Sequence, residues 1–180
     1  EAQKAEWLPR LISGEAIAAC EGVPAMVDNG GRLTGTITPV PHGALAEVFV
    51  FVAPGKAWLV RADAPGVSIK SHVTMDQTRP FATVTLEGAE AEALADPAAA
   101  IAAVHAGGWI CLAAEALGGA QEALDRTVAY SRERVQFGRP IAGFQAVRHR
   151  LAETFVAVEA ADAALDAAWL DGTPAGAAVA

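Results

Sequence analysis

"AYSRERVQFGRPIAGFQAVRHRLAE", Ala129 to Glu153, decides how the chain is read. Before it, Leu117, Ala120, Leu124, Val128, Ser131 and Val135 recur at three- and four-residue spacing. Glu122, Asp125, Arg126, Arg132 and Glu133 fall on the opposite side. After Gly138-Arg139-Pro140 a second stripe runs Phe144, Val147, Leu151, Phe155, Val158, Leu165 and Trp169. Two amphipathic segments joined by a short break predict an antiparallel helix pair. The turn itself needs only a Gly and a Pro. It also holds Arg132, Arg134, Arg139 and Phe137. One reading is structural: cations complement a helix C-terminus, and Phe137 anchors the turn in the core. The other is binding. A guanidinium grips a pyrophosphate or stacks on a heteroaromatic ring, and the Gln145 amide donates and accepts beside it. The residues alone leave both open.

Working outward, Asp96-Pro97 starts the first long helix well, with Asp as N-cap and Pro at the first helical position. Upstream, "AEVFVFVA", "AWLVRA", "GVSIKSHV" and "FATVTLEG" are Val/Phe/Ile/Thr-rich runs separated by Pro-Gly, Asn-Gly and Ala-Pro-Gly. They predict an antiparallel β unit with hairpin connections. At the N-terminus, Trp7, Leu8 and Leu11 share a helical side that Ser13-Gly14 stops. The expected organisation is α+β: the end of a helical domain at residues 1–20, a β-domain at 21–95, and the start of a second helical domain at 96–180. An opening at Glu1 without Met, and a close at "PAGAAVA", suggest a truncated chain.

Composition narrows the function. Hydrophobic residues make up 53% of the 180, mostly Ala and Val, and no uninterrupted apolar run of transmembrane length or secretory signal is apparent. The cytoplasm is the default location. A net charge of −8 with no basic stripe argues against a nucleic-acid partner. Cys20 and Cys111 read as small core residues of a reducing compartment. His42, His72, His105 and His149 are scattered, with no metal-ligand spacing, so no metal is expected. Gly107-Gly108 and Gly118-Gly119 read as sites of close helix packing, Trp109 and Trp169 as core or interface aromatics, and Asp76 and Arg79 as parts of a solvated turn.

The Ala129–Glu153 segment strongly resembles the helix-turn-helix of acyl-CoA dehydrogenases. "QKAEWLPRLISGEAIAA", Gln3 to Ala19, resembles the passage into that family's β-domain. Two matches in the right order span essentially the whole chain. The resemblance implies an acyl-CoA dehydrogenase-like fold: an antiparallel β-domain followed by an antiparallel helix pair of a truncated helical bundle. It also implies FAD as cofactor, an acyl-CoA thioester as substrate, and electron-transfer flavoprotein as electron acceptor. A homo- or hetero-tetramer of homologous subunits follows in the same way. Carried over, Arg134, Phe137 and Gln145 contact an FAD held mainly by a neighbouring subunit.

There are departures from the family pattern. "CEGVPAMVDNGG" is too short for the family's flavin-binding loop, and the Trp-Ile-Thr triplet of the next strand becomes Pro39-Val40-Pro41. Proline has neither an indole face nor a hydroxyl, and no backbone N–H. No residue is assigned as the catalytic base; Gly108 stands at the position where a minority of the family carries it, and Glu115 reads as a solvated helix-face carboxylate. Together these features resemble the subunit with a degraded flavin cradle in heteromeric actinobacterial enzymes of sterol and bile-acid side-chain breakdown. The expected activity is α,β-dehydrogenation with a partner. The alternatives are a non-catalytic structural subunit, a flavin-dependent monooxygenase of the same fold, and a homotetramer with a diverged loop that still binds FAD.

Overall fold

The computed structural model describes residues 2–23 and 26–171. It divides into two compact units, Glu1–Val104 and His105–Ala180.

The first unit opens with helix α1, Ala2–Ser13, closed by Gly14 at a positive φ of 76°. Two four-stranded sheets follow. In the first, β1 (Ala18–Gly22), β4 (Val48–Ala53), β5 (Lys56–Arg61) and β8 (Glu92–Ala93) are neighbours in that order. The second orders β2 (Val27–Asp28), β3 (Arg32–Pro41), β7 (Phe81–Glu90) and β6 (Val67–Ser71). The expected strands are present, and pairing is antiparallel with one exception. β1 runs parallel to β4, from Ala18 opposite Val48 to Gly22 opposite Val52. The strand begins ahead of residue 21, where the sequence pattern starts the β region, because "AACEG" lacks the aromatic and branched residues that mark strands.

Patterning explains the layers. β3 and β7 alternate: Leu33, Ile37, Val84 and Leu86 are buried while Thr34, Thr36 and Glu87 face out, as a half-covered sheet requires. β4 and β5 do not alternate. Phe49 and Phe51 stack at 5.4 Å in the core shared with the second sheet. Val48 and Leu59, on the other face, pack with Trp7 of α1. A strand covered on both faces has no position for a polar residue, and "VFVFVA" has none. Trp7 is itself flanked by two guanidiniums, Arg10 and Arg61, each 5.2 Å from its ring centroid. Arg10 pairs with Glu47 at 2.7 Å, and Arg61 with Glu6.

Helix α2, Pro97–Glu133, starts where expected. The Ala99 N–H donates to the Asp96 carboxylate at 3.0 Å, a side-chain N-cap. Within the second unit its later turns run antiparallel to α3, Gln145–Asp171, with Ala106 and Ile110 meeting Leu165 and Ala168. Ala168 is the buried residue at this end, and Trp169 is 71% exposed, so the inward stripe ends one residue earlier than the pattern suggested. By length and composition alone α2 passes for a membrane-crossing helix, against the expectation that no such run exists. Alanine carries that apolarity, with Ile101, Val104, Ile110 and Leu112.

Truncation of the tryptophan that joins α1 to the first sheet, Trp7→Ala, is expected to cost about 3–5 kcal/mol. The shift of the urea midpoint at constant slope measures it.

Candidate functional site

Helix α2 ends at Glu133, and the chain returns through two very short strands, β9 (Val135–Gln136) and β10 (Arg139–Pro140). Arg139 pairs with Gln136 and Pro140 with Val135, leaving Phe137 and Gly138 as a two-residue loop. Their φ values are 52° and 78°. Positive φ at both positions is the mirror-image turn that suits the twist of paired strands. Glycine suits the second position. The first normally takes Asn, Asp or Gly, and here it is phenylalanine, for which a left-handed backbone costs roughly 1–2 kcal/mol. Burial does not offset that cost, since Phe137 is 92% exposed. The expected core anchor is therefore corrected: a loop tip held only by its neighbours' strands cannot reach the core, and the ring stands in solvent.

Hydrogen bonds fix the rest of the motif. The Arg134 N–H donates to the Tyr130 carbonyl at 2.8 Å, and its own carbonyl accepts the Ile141 N–H at 2.8 Å. Arg134 thus ties the helix end to the returning chain while its side chain stays exposed. A 3-10 turn, Ile141–Gly143, leads to Phe144, whose carbonyl accepts the N–H groups of Val147 and Arg148 at 3.2 and 3.1 Å. Arg148 Nε donates to the Ala142 carbonyl at 2.8 Å. Gln145, the first residue of α3, is exposed. Arg132 and Arg148 border a cleft of about 560 Å³, with Pro140 and Leu151 in its lining. Arg134, Phe137 and Gln145 accordingly lie on one continuous motif, all exposed. The hairpin was not foreseen, although "FG" inside a tight turn signalled the glycine half of it.

The expected triplet position lies in the first unit, at the end of β3. Register shifts between Ile37 and Val40 against β7, so an extra residue bulges there, and the Thr38–Pro39 peptide is cis. Val40 is fully buried, whereas Pro39 is exposed and Pro41 half-buried. The Thr38 hydroxyl accepts from Thr83 at 2.9 Å, and Thr83 in turn meets His72 Nε2 at 2.7 Å. The strand end offers pyrrolidine rings where an aromatic face and a free hydroxyl were expected of a flavin cradle.

The remaining residues separate plainly. Cys20 and Cys111 are exposed thiols rather than core residues: Cys20 sits on the outermost strand of its sheet and Cys111 on an open face of α2. Gly107, Gly108, Gly118 and Gly119 do not mark tight packing among the described residues, since a Cβ at each meets nothing within 4 Å. Trp109 is 43% exposed and stacks on His105 at 5.6 Å. Glu115 lies exposed on α2. The Asp76 carboxylate is held below its ordinary range, first by the Thr78 hydroxyl, then by the Thr78 N–H, with Arg79 a lesser contributor. No group of three or more His, Cys, Asp or Glu suited to a metal occurs among the described residues.

The strained loop gives a direct expectation. Phe137→Asn relieves the backbone and removes little packing, so the unfolding free energy stays within about 1 kcal/mol of the parent. Thermal and urea denaturation test this; a loss as large as that of a core phenylalanine, about 3–5 kcal/mol, contradicts it.

Residues 98–180 match the family model described as the acyl-CoA dehydrogenase C-terminal domain. The chain is 37% identical over 179 residues to acyl-CoA dehydrogenase IpdE2 of Mycobacterium tuberculosis, covering 98% of this chain and 48% of that protein. Among solved structures it superposes on butyryl-CoA dehydrogenase from Megasphaera elsdenii with a TM-score of 0.85 at 25% identity, over 99% of this chain and 56% of that one. The steroid ACAD Tcur3481-Tcur3483 superposes with a TM-score of 0.81 at 32% identity, over 98% and 54%. The chain therefore spans about half the length of the relatives it matches. From its β sandwich through the hairpin between α2 and α3, this chain belongs to the acyl-CoA dehydrogenase family.

Proposed function

We propose that this chain supplies Arg134, Phe137 and Gln145 to an FAD held mainly by a homologous partner subunit, in the α,β-dehydrogenation of an acyl-CoA thioester. The observation that carries the reading is Phe137: a phenylalanine in a left-handed loop, 92% exposed. Neither backbone preference nor burial favours that residue there, and strained positions of this kind concentrate at binding sites. A flat apolar ring and a guanidinium on one hairpin fit a cofactor that combines a heteroaromatic ring system with a pyrophosphate.

The division of labour follows from chemistry. When bound, FAD accepts the β-hydride of the thioester as the α-proton leaves to a base, and electron-transfer flavoprotein then takes the electrons onward. Arg134 supplies a fixed positive charge, held in place because its backbone is bonded on both sides. Phe137 gives an apolar surface and excludes water. Gln145 orients, since its amide both donates and accepts. No residue of this chain is assigned the proton-accepting role. The β3 end, with Pro39 and Pro41, supports sharing: a subunit without an indole or hydroxyl there is poorly equipped to hold its own isoalloxazine. The similarity to the steroid ACAD Tcur3481-Tcur3483, whose name joins two components, supports a heteromer and a steroid side-chain thioester as substrate.

Flavin stoichiometry is the test. Expressed alone, the protein is expected to purify without flavin; co-expressed with its nearest encoded homologue, it yields one FAD per pair of chains. Arg134→Ala then lowers the FAD content of the complex, by roughly the tenfold or more in affinity that losing a charge-assisted hydrogen bond implies. One FAD on every chain of a homomer overturns the shared site. Unchanged flavin content in Arg134→Ala makes the chain a structural subunit.

A further inference from the structure

The flavin reading leaves two residues of the hairpin unexplained: the arginine at 139 and the glycine at 143. The Arg139 guanidinium carbon lies 4.1 Å from the centroid of the Phe144 ring. Phe144 meets Phe137 edge-on, with centroids 6.1 Å apart and planes at 86°. Gly143 makes room for this: a Cβ there falls 3.3 Å from Arg139 Cδ, tighter than ordinary contact, so any larger residue crowds the arginine stem. Phe144 is the anchored member. It is half-buried and directly precedes α3, with its N–H donated to the Ile141 carbonyl at 3.1 Å and its own carbonyl accepting from the first turn.

We propose that Arg139 is a positioning residue for Phe137, acting through the ring of Phe144 in a guanidinium–phenyl–phenyl stack. The inference rests on the reading of Phe137 as a flavin contact. An exposed ring on a two-residue loop has no surrounding core to select its rotamer. Its recorded aromatic neighbour is Phe144, and that ring is held in turn by the cation over it. Cation–π and edge-on aromatic contacts at exposed sites each shift an equilibrium by about fivefold, enough to bias an otherwise free side chain. The stack thus lowers the entropy lost when a planar cofactor meets Phe137. Arg139 acts here without touching the cofactor, unlike Arg134.

The test is a double-mutant cycle on FAD affinity, read by flavin fluorescence on adding FAD to the stripped heteromer. Arg139→Gln is expected to weaken binding about three- to tenfold, as loss of a cation–π contact implies. Arg139 is exposed, so the fold survives the change. Arg139→Lys, which keeps a cation over the ring, recovers most of the affinity. In a Phe137→Ala background, Arg139→Gln has no further effect. Losses that multiply instead overturn the positioning role in favour of direct charge attraction, and a weakening in Arg139→Gln that Lys does not repair overturns the role of a cation over the Phe144 ring. Unaltered affinity in Arg139→Gln with weakened affinity in Phe137→Ala overturns the positioning role alone. Unaltered affinity in Phe137→Ala overturns the flavin reading and the stack with it.

Discussion

The constraint on which the first unit depends is that β4 is covered on both faces. Phe49 and Phe51 project into the core between the sheets, and Val48 projects toward α1 and Trp7. A strand in that position cannot carry a polar side chain without leaving it unpaired in the interior. Everything around it follows. β5 reads "AWLV" through its buried middle for the same reason, whereas β3 and β7, covered on one side only, alternate with threonine. The charges that belong to this region sit at its edge, where Arg10 and Arg61 clasp the Trp7 ring and pair with Glu47 and Glu6.

The second unit obeys a different economy. Its buried residues are few among those described, and its two helices meet through alanine, isoleucine and leucine at one end. Ser131 is buried on α2, and its hydroxyl donates to the Thr127 carbonyl at 2.5 Å, so no polar atom is left unpaired there. Stability is spent at the connection. Phenylalanine occupies a turn position that asparagine or glycine would fill without strain, and its ring faces solvent. Neither the geometry of the turn nor burial accounts for that choice.

Electrostatics separate the two regions in kind. The chain is acidic overall, with a net charge of −8, yet Arg132, Arg134, Arg139, Arg148 and Arg150 gather within twenty residues of sequence. Elsewhere Arg10, Arg61 and Arg126 pair with carboxylates, as in the Arg126–Glu122 pair at 2.6 Å along α2. Around the hairpin two of them engage carbonyl and aromatic partners instead: Arg148 bonds the Ala142 carbonyl and Arg139 covers Phe144. Neither is paired with a carboxylate among the described residues, and positive charge of this kind on an acidic protein is suited to an anionic ligand.

What the sequence determined by itself was whatever local periodicity and turn chemistry control. The Asp96-Pro97 start of α2, the stop at Gly14, the main strands and the helix–turn–helix all follow from spacing and from caps. Arg134, Phe137 and Gln145 stand out in a turn that has no plain use for them, and the family resemblance names them as candidates. Tertiary structure alone decided the rest. The parallel pairing of β1 depends on which strand it meets, not on its own composition. The openness of the glycine pairs, the exposure of Cys20 and Cys111, and the outward position of Trp169 depend on which faces find a partner. Phe137 reads as a core anchor from its hydrophobicity, yet the backbone of the loop aims it into water. Hydrophobicity sets a side chain's preference for burial, and the geometry of the chain around it sets whether that preference is met.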